Sequence, residues 1–156
     1  MTVHLEPMSE LEFAGYFETI VRDYAKDQVE AGYWDASDAQ ELSRKSTERL
    51  LPQGVRTPNH YVYTVRDSEL RVGIVWMKAN LDTANKNGFI YDIAIDESQR
   101  GKGYGRQAMQ LIEEKARELG LRQMGLHVFA KNKVALNLYE SLGYETKSLN
   151  MIKDLK

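Results

Sequence analysis

The period of the apolar positions changes along the chain, from helical spacing in the first third to strands and helices in alternation. Thr2-Val3-His4-Leu5 reads as a short opening strand. Ser9-Glu10-Leu11-Glu12 has the form of a capping box, in which a serine oxygen and a glutamate carboxylate satisfy free amides of a first helical turn. Phe13, Phe17, Ile20, Val21, Tyr24 and Gln28 follow at helical spacing and predict a helix to about Gly32. Ser37-Asp38-Ala39-Gln40 repeats the capping pattern and predicts a second helix ending before Pro52.

Strand patterns come next. His60-Tyr61-Val62-Tyr63-Thr64-Val65-Arg66 is rich in aromatic and β-branched residues, Asp67-Ser68-Glu69 makes a turn, and residues 71–78 supply the hairpin partner. After a second turn at Asn85-Lys86-Asn87-Gly88, the run Phe89-Ile90-Tyr91-Asp92-Ile93-Ala94-Ile95 is almost wholly apolar and is expected to be a central strand. Strict alternation puts Ile90, Asp92 and Ala94 on one of its faces and Tyr91, Ile93 and Ile95 on the other. A glycine-rich run then leads into a helix with Ala108, Leu111, Ile112, Ala116 and Leu119 on one face, terminated at Gly120. Residues 123–130 predict a fifth strand. Asn132 opens a last helix carrying Ala135, Leu136, Tyr139 and Leu142 and closed by Gly143, and residues 144–154 predict a final strand. The expected order is β-α-α-β-β-β-α-β-α-β, an α/β (α+β) fold with a mixed sheet and helices on both faces.

Length and composition narrow the class. A chain of 156 residues suits one domain spanning residues 1–156. No run approaches the about 20 apolar residues of a membrane span, and the first residues lack the basic-then-apolar order of a secretory signal. There is no cysteine, which removes disulfides, thiolate metal sites and a cysteine nucleophile, and suits a cytoplasmic location. Three scattered histidines do not suggest a metal site. Charge is uneven: residues 1–50 carry five Lys/Arg against eleven Asp/Glu, and residues 97–156 carry eleven against seven. Solvated helix faces are one reading. The other is an anionic ligand near the C-terminal half and a cationic one near the first helices. A nucleic-acid partner calls for a denser basic patch, so neither nucleic acid nor membrane is expected.

The most informative segment is Arg100-Gly101-Lys102-Gly103-Tyr104-Gly105-Arg106, between a strand and an amphipathic helix. Glycines there let backbone approach a ligand, and the first amides of the helix point outward at the positive end of its dipole. That suits a phosphate or pyrophosphate. The run lacks the spacing and the Lys-Ser/Thr of a P-loop. Gly103-Tyr104-Gly105-Arg106-Gln107-Ala108 does match a dinucleotide fingerprint, but no carboxylate ends the next strand and only 26 residues follow it.

Arg100-Gly101-Lys102-Gly103-Tyr104-Gly105 resembles the R/Q-x-x-G-x-G/A motif of the GNAT superfamily of N-acetyltransferases. The segment Asn132-Lys133-Val134-Ala135-Leu136-Asn137-Leu138-Tyr139-Glu140-Ser141-Leu142-Gly143-Tyr144 is similar to that family's N-x-x-A-x-x-x-Y-x-x-x-G-[FY] block. The specific similarity covers about residues 89–144; the earlier residues agree in layout. The chain departs at its end, where one strand fits and many relatives finish with two.

The resemblance implies the acyl-CoA N-acyltransferase fold and direct transfer of an acetyl group from acetyl-CoA, a donor substrate, to a primary amine. It implies that amides of Arg100, Gly101, Lys102, Gly103, Tyr104, Gly105 and Arg106 cradle the pyrophosphate of coenzyme A. Ile93, Ala94 and Ile95, splayed from residues 126–129, pair with the pantetheine arm, and the Ala94 amide polarises the thioester carbonyl. Asn132 contacts pantetheine, a role compatible with plain helix capping. Tyr139 is the candidate general acid for the leaving thiolate, with a core tyrosine as the alternative. Asp92 is the candidate base, with capping of nearby amides or holding an arginine as the alternative. His127 is the reserve base. Tyr24, Tyr33, Trp34 and Trp76, with Asp23, Asp27, Glu30 and Asp35, are candidates for an ammonium-binding wall, set against helix packing and solvated charge. The acceptor is a small-molecule or peptide amine, and a homodimer fits the pattern of similar proteins. The alternative is a non-catalytic acyl-CoA sensor on the same fold.

Overall fold

A computed structural model describes residues 2–156. The chain divides into two compact units, one running to Leu126 and one from His127 to Lys156. In the first unit, strand β1 (Val3–Pro7) leads into helices α1 (Glu10–Glu30) and α2 (Ala36–Leu50). Strands β2 (His60–Asp67), β3 (Leu70–Asn80) and β4 (Asn87–Ile95), helix α3 (Tyr104–Glu118) and strand β5 (Gln123–Leu126) follow. Among the described residues the sheet order is β1-β2-β3-β4-β5, antiparallel throughout except for the parallel pair β4–β5. The second unit contains α4 (Lys133–Ser141).

Helix α1 starts where the capping box predicts. Ser9 Oγ accepts from the Glu12 amide at 3.1 Å and the Glu12 carboxylate accepts from the Ser9 amide at 3.4 Å. The same carboxylate accepts from Thr64 Oγ1 and from Arg66, each at 3.2 Å, so the cap also ties α1 to β2. Burial works against ionised Glu12, but these donors outweigh it and hold its pKa below the usual range. Helix α2 starts earlier than expected. The chain leaves α1 through Gly32 and Asp35 at once takes the extended N-cap conformation, which leaves Ser37 inside the first turn.

Three helices end in one way. Past α1, α3 and α4 stand Gly32, Gly120 and Gly143, with φ of 84°, 88° and 98°. The amides of Tyr33, Leu121 and Tyr144 reach back to the carbonyls of Gln28, Ala116 and Tyr139, the pairing of a Schellman motif.

The two faces of the first unit's sheet are covered differently. Met8, Tyr16, Ile20, Leu51, Val62, Ile74 and Trp76 form the core beneath α1 and α2. On the other face, Lys115 of α3 lies 5.6 Å over the ring of Tyr61, whose cross-strand partner is Met77. Met77, Met109 and Ile112 are fully buried there, each side chain stabilising the fold by about 1.5–3 kcal/mol.

Four expectations need correction. The middle strand is β3, which holds the long buried run; β4 lies one place nearer the edge and starts at Asn87, inside the expected turn. Alternation along β4 breaks at Tyr91. Ile90 pairs with Met77 and Asp92 with Trp76, so Tyr91 is an extra residue in a β-bulge. Ile90 therefore faces α3 while Asp92 and Ala94 face α1, and the Tyr91 ring stacks on Trp76 at 4.7 Å. The β4–β5 ladder stops at Ile90–Leu126, immediately before that bulge, so β5 has four residues rather than eight. Residues 144–154 carry no strand: Leu149, Met151 and Ile152 are exposed and do not alternate in a way that buries one face.

Candidate active site

The bulge turns a carboxylate toward the α1 side of the sheet. Asp92 is half-buried, and the hydroxyl of Tyr16 on α1 donates to its Oδ2 at 2.7 Å. Burial pushes the Asp92 carboxyl up to about 6; Asp23 and Asp27 push the same way, while the Tyr16 hydroxyl and the Ile93 amide oppose them. Tyr16 sits in the core at 5% exposure. Burial, then the charge and hydrogen bond of Asp92, raise its own pKa well above the usual phenol value, so it stays a donor. Asp92 thus has the proton affinity of a base working near neutrality.

Beside it runs an aromatic stack. Trp76, Tyr91 and His60 are mutual neighbours, with ring centroids 4.7 Å apart for Trp76–Tyr91, 5.9 Å for Trp76–His60 and 6.0 Å for His60–Tyr91. The Trp76 indole N–H donates to His60 Nδ1 at 3.0 Å. Burial first, and Lys78 second, lower the His60 pKa to about 4, which keeps Nδ1 an acceptor at neutral pH. Trp76 is 3% exposed and belongs to the core, so of the two readings weighed for it the packing one holds; Tyr91 is 36% exposed. Of the other proposed wall residues, Tyr24 and Trp34 pack edge to face at 5.4 Å, and Tyr24 and Tyr33 are exposed. Asp23 is exposed beside Arg22, and Asp35 serves as the α2 N-cap.

The glycine run forms the turn that its sequence predicts. Gly101 and Gly103 have φ of 78° and 85°, and a Cβ built on either meets nothing within 4 Å. Gly103 is the N-cap of α3, and its carbonyl accepts the first bond of that helix, from Gln107. The amides of that first turn are the ones a helix leaves for a ligand, and nothing crowds either glycine on its Cβ side. The side chains divide by role. Arg100 donates to Ile95 O at 3.0 Å and Lys102 to Gln99 Oε1 at 3.2 Å. Tyr104 turns inward, buried, its hydroxyl donating to Asp67 Oδ2 at 2.6 Å, so it can offer a ligand only its backbone. Gly105 and Arg106 complete the first turn of α3. Asp67 also accepts from the Thr2 amide at 3.0 Å, pinning the start of α3 to the first two strands. Just before the turn, Ile93, Ala94 and Ile95 have ladder partners on β3 alone among the described residues.

In the second unit, Asn132 caps α4, its side chain accepting from the Ala135 amide at 3.4 Å. Tyr139 is half-buried and supplies the third-last helical carbonyl to the Schellman closure, while its ring meets Tyr144 edge to face at 6.1 Å. His127 is exposed and packs on Phe129 at 5.0 Å.

Tyr16, Tyr91 and His60 were not foreseen as site residues. Tyr16 left one signal. It falls on the apolar stripe of α1 four residues before Ile20, and a buried tyrosine needs a hydroxyl partner.

A family model described as the acetyltransferase (GNAT) family matches residues 18–144. The chain is 39% identical over 156 residues to the uncharacterized N-acetyltransferase YycN of Bacillus subtilis (strain 168), across 99% of this chain and 100% of that one. It is 36% identical to a second uncharacterized N-acetyltransferase of that strain, YdgE, across 99% of each. A crystal structure of Bacillus subtilis YycN superposes with a TM-score of 0.95 at 38% identity, covering 99% of both chains.

Proposed function

This chain belongs to the acetyltransferase (GNAT) family, and we propose that it moves the acetyl group of acetyl-CoA directly onto a primary amine. The observation that carries the donor assignment is the turn at residues 100–106, with two open left-handed glycines ahead of a 15-residue helix. In this reading the whole chain is one catalytic domain working in the cytoplasm; the family match, which spans both units, supports the first part.

The residues divide the work as follows. Amides of Arg100 through Arg106 hold the pyrophosphate, with Arg100, Lys102 and Arg106 adding positive charge. Backbone groups of Ile93 to Ile95, left without a β5 partner, pair with pantetheine, and the Ala94 amide stabilises the charge developing on the thioester oxygen. Asn132 adds a pantetheine contact to its capping role. Asp92 accepts a proton from the acceptor ammonium, and the freed nitrogen attacks the acetyl carbon. As the carbon–sulfur bond breaks, the nitrogen sheds its second proton to solvent, and Tyr139 gives its proton to the thiolate and takes one back from solvent. His127 is the alternative base. Its exposure makes it the weaker candidate beside the half-buried, tyrosine-held Asp92. The exposed Asp23 and Asp27, with the Tyr24 and Tyr33 rings, favour a cationic acceptor such as a polyamine, an aminoglycoside or a peptide amine.

Calorimetric titration with acetyl-CoA, with NAD and ATP as controls, tests the donor. Micromolar binding of acetyl-CoA alone, weakened at least tenfold in Gly103→Val, is expected; preference for NAD overturns the reading. Thiol release is then followed with spermidine, kanamycin, lysine and a short peptide with a free N-terminus. Tyr139→Phe is expected to lose turnover and keep donor affinity. Donor binding with no thiol release from any amine would favour an acyl-CoA sensor.

A further inference from the structure

We propose that Tyr16 is a positioning residue: the hydrogen bond it donates to Asp92 Oδ2 fixes the carboxylate that takes the proton from the acceptor. The proposal rests on the reading of Asp92 as base. Tyr16 and Asp92 are 76 residues apart in sequence and are joined by a 2.7 Å bond. The tyrosine is held firmly. It is 5% exposed, its ring meets Phe13 edge to face at 6.4 Å, and it shares a core with Met8, Ile20 and Trp76. A donor lodged there cannot follow a moving carboxylate, so the carboxylate must come to it.

The pairing has two effects. It occupies Oδ2 while the Ile93 amide also donates to the carboxyl, so one orientation of the acid is selected before an amine arrives. It also offsets the groups that favour protonation. Burial and the charges of Asp23 and Asp27 on α1 raise the proton affinity of Asp92, and Tyr16 lowers it. From β3, Arg71 acts on Tyr16 in the direction of ionisation, but it is paired with Asp96 at 3.4 Å, and burial and Asp92 keep the phenol protonated. In the proton transfer an N–H bond of the ammonium breaks and an O–H bond forms on Asp92, while Tyr16 keeps its proton throughout. Without the hydroxyl, Asp92 is protonated over more of the neutral range and fewer molecules hold a competent base.

Carbon-13 NMR of the aspartate carboxyls, assigned with Asp92→Asn, reads this without any acceptor. In Tyr16→Phe the Asp92 midpoint is expected to rise by about one pH unit, the size of one charge-assisted hydrogen bond. Difluorotyrosine at position 16, a stronger donor that keeps the ring, is expected to lower it and covers the case in which the phenylalanine variant fails to fold. With whichever amine of the panel is turned over fastest, the acid limb of kcat/KM should move with the midpoint, and affinity for acetyl-CoA should not change. An unmoved midpoint, or movement of both variants in the same direction, overturns the proposal. If Asp92→Asn keeps the wild-type rate, the base reading has failed and the positioning role of Tyr16 falls with it. If Asp92→Asn is inactive while neither Tyr16 variant moves the acid limb, Tyr16 alone has failed.

Discussion

At the residue scale, Asp92 shows how a proton acceptor is made at the expense of stability. Its carboxyl titrates near 6 in the fold and near the ordinary aspartate value when unfolded, so between these values the native state binds more protons than the unfolded one. Stability on this account is fully present at low pH and falls as pH rises through that window. Asp92→Asn keeps an acceptor for Tyr16 and removes the charge. It is expected to stabilise the protein by about 1–3 kcal/mol above pH 6 and by almost nothing below pH 4, read from urea midpoints across pH. A gain that does not depend on pH would contradict the burial argument. The sequence pointed to Asp92 because an acid in an apolar strand needs an explanation. It did not give the partner, since a hydroxyl 76 positions away leaves no local trace.

At the scale of elements, the legible features were those written in a few adjacent residues. Ser9 with Glu12, and Gly32, Gly120 and Gly143 after helical stripes, fixed helix ends because capping is local chemistry. Strand ends were less legible, because a ladder stops where its neighbour turns away; β5 ends at Leu126 on account of a bulge in β4. Glycines separate two kinds of constraint. At Gly120 a side chain has open space and only the left-handed backbone objects, so Gly120→Ala is expected to cost about 1–2 kcal/mol. At Gly73 a Cβ lies 2.4 Å from the carbonyl oxygen of Ala94, and Gly73→Ala must push β3 and β4 apart. It should cost more than Gly120→Ala in denaturant unfolding, and it should also weaken acetyl-CoA binding if the amides of residues 93–95 hold the donor; equal costs would mean that the close approach relaxes freely.

For the whole molecule, the sequence carried the layer architecture and the element order as far as the last helix, but not the absence of a strand after it, and the charge gradient along the chain suggested an anionic ligand for its C-terminal part. With Arg100, Lys102 and Arg106 contributing through partly screened charge, acetyl-CoA affinity should fall several-fold between 0.05 and about 0.5 M salt, whereas a site held only by amides would change little. No helix of the described residues is long and apolar enough to cross a membrane. What the sequence did not carry was the single inserted residue that breaks β4. Removing Tyr91 would leave Ile90 opposite Met77 and Asp92 opposite Trp76, with regular alternation between them. The strand register therefore has no need of that residue, although its ring stacks on Trp76 and meets Phe89. A Tyr91 deletion is expected to fold, with a loss of about 1–2 kcal/mol by urea denaturation from the missing ring contacts, with β4 straightened along β5 and acetyl-CoA binding lost. The fold would then possess a version of itself, one codon shorter, that is sound as a protein and closed as an enzyme.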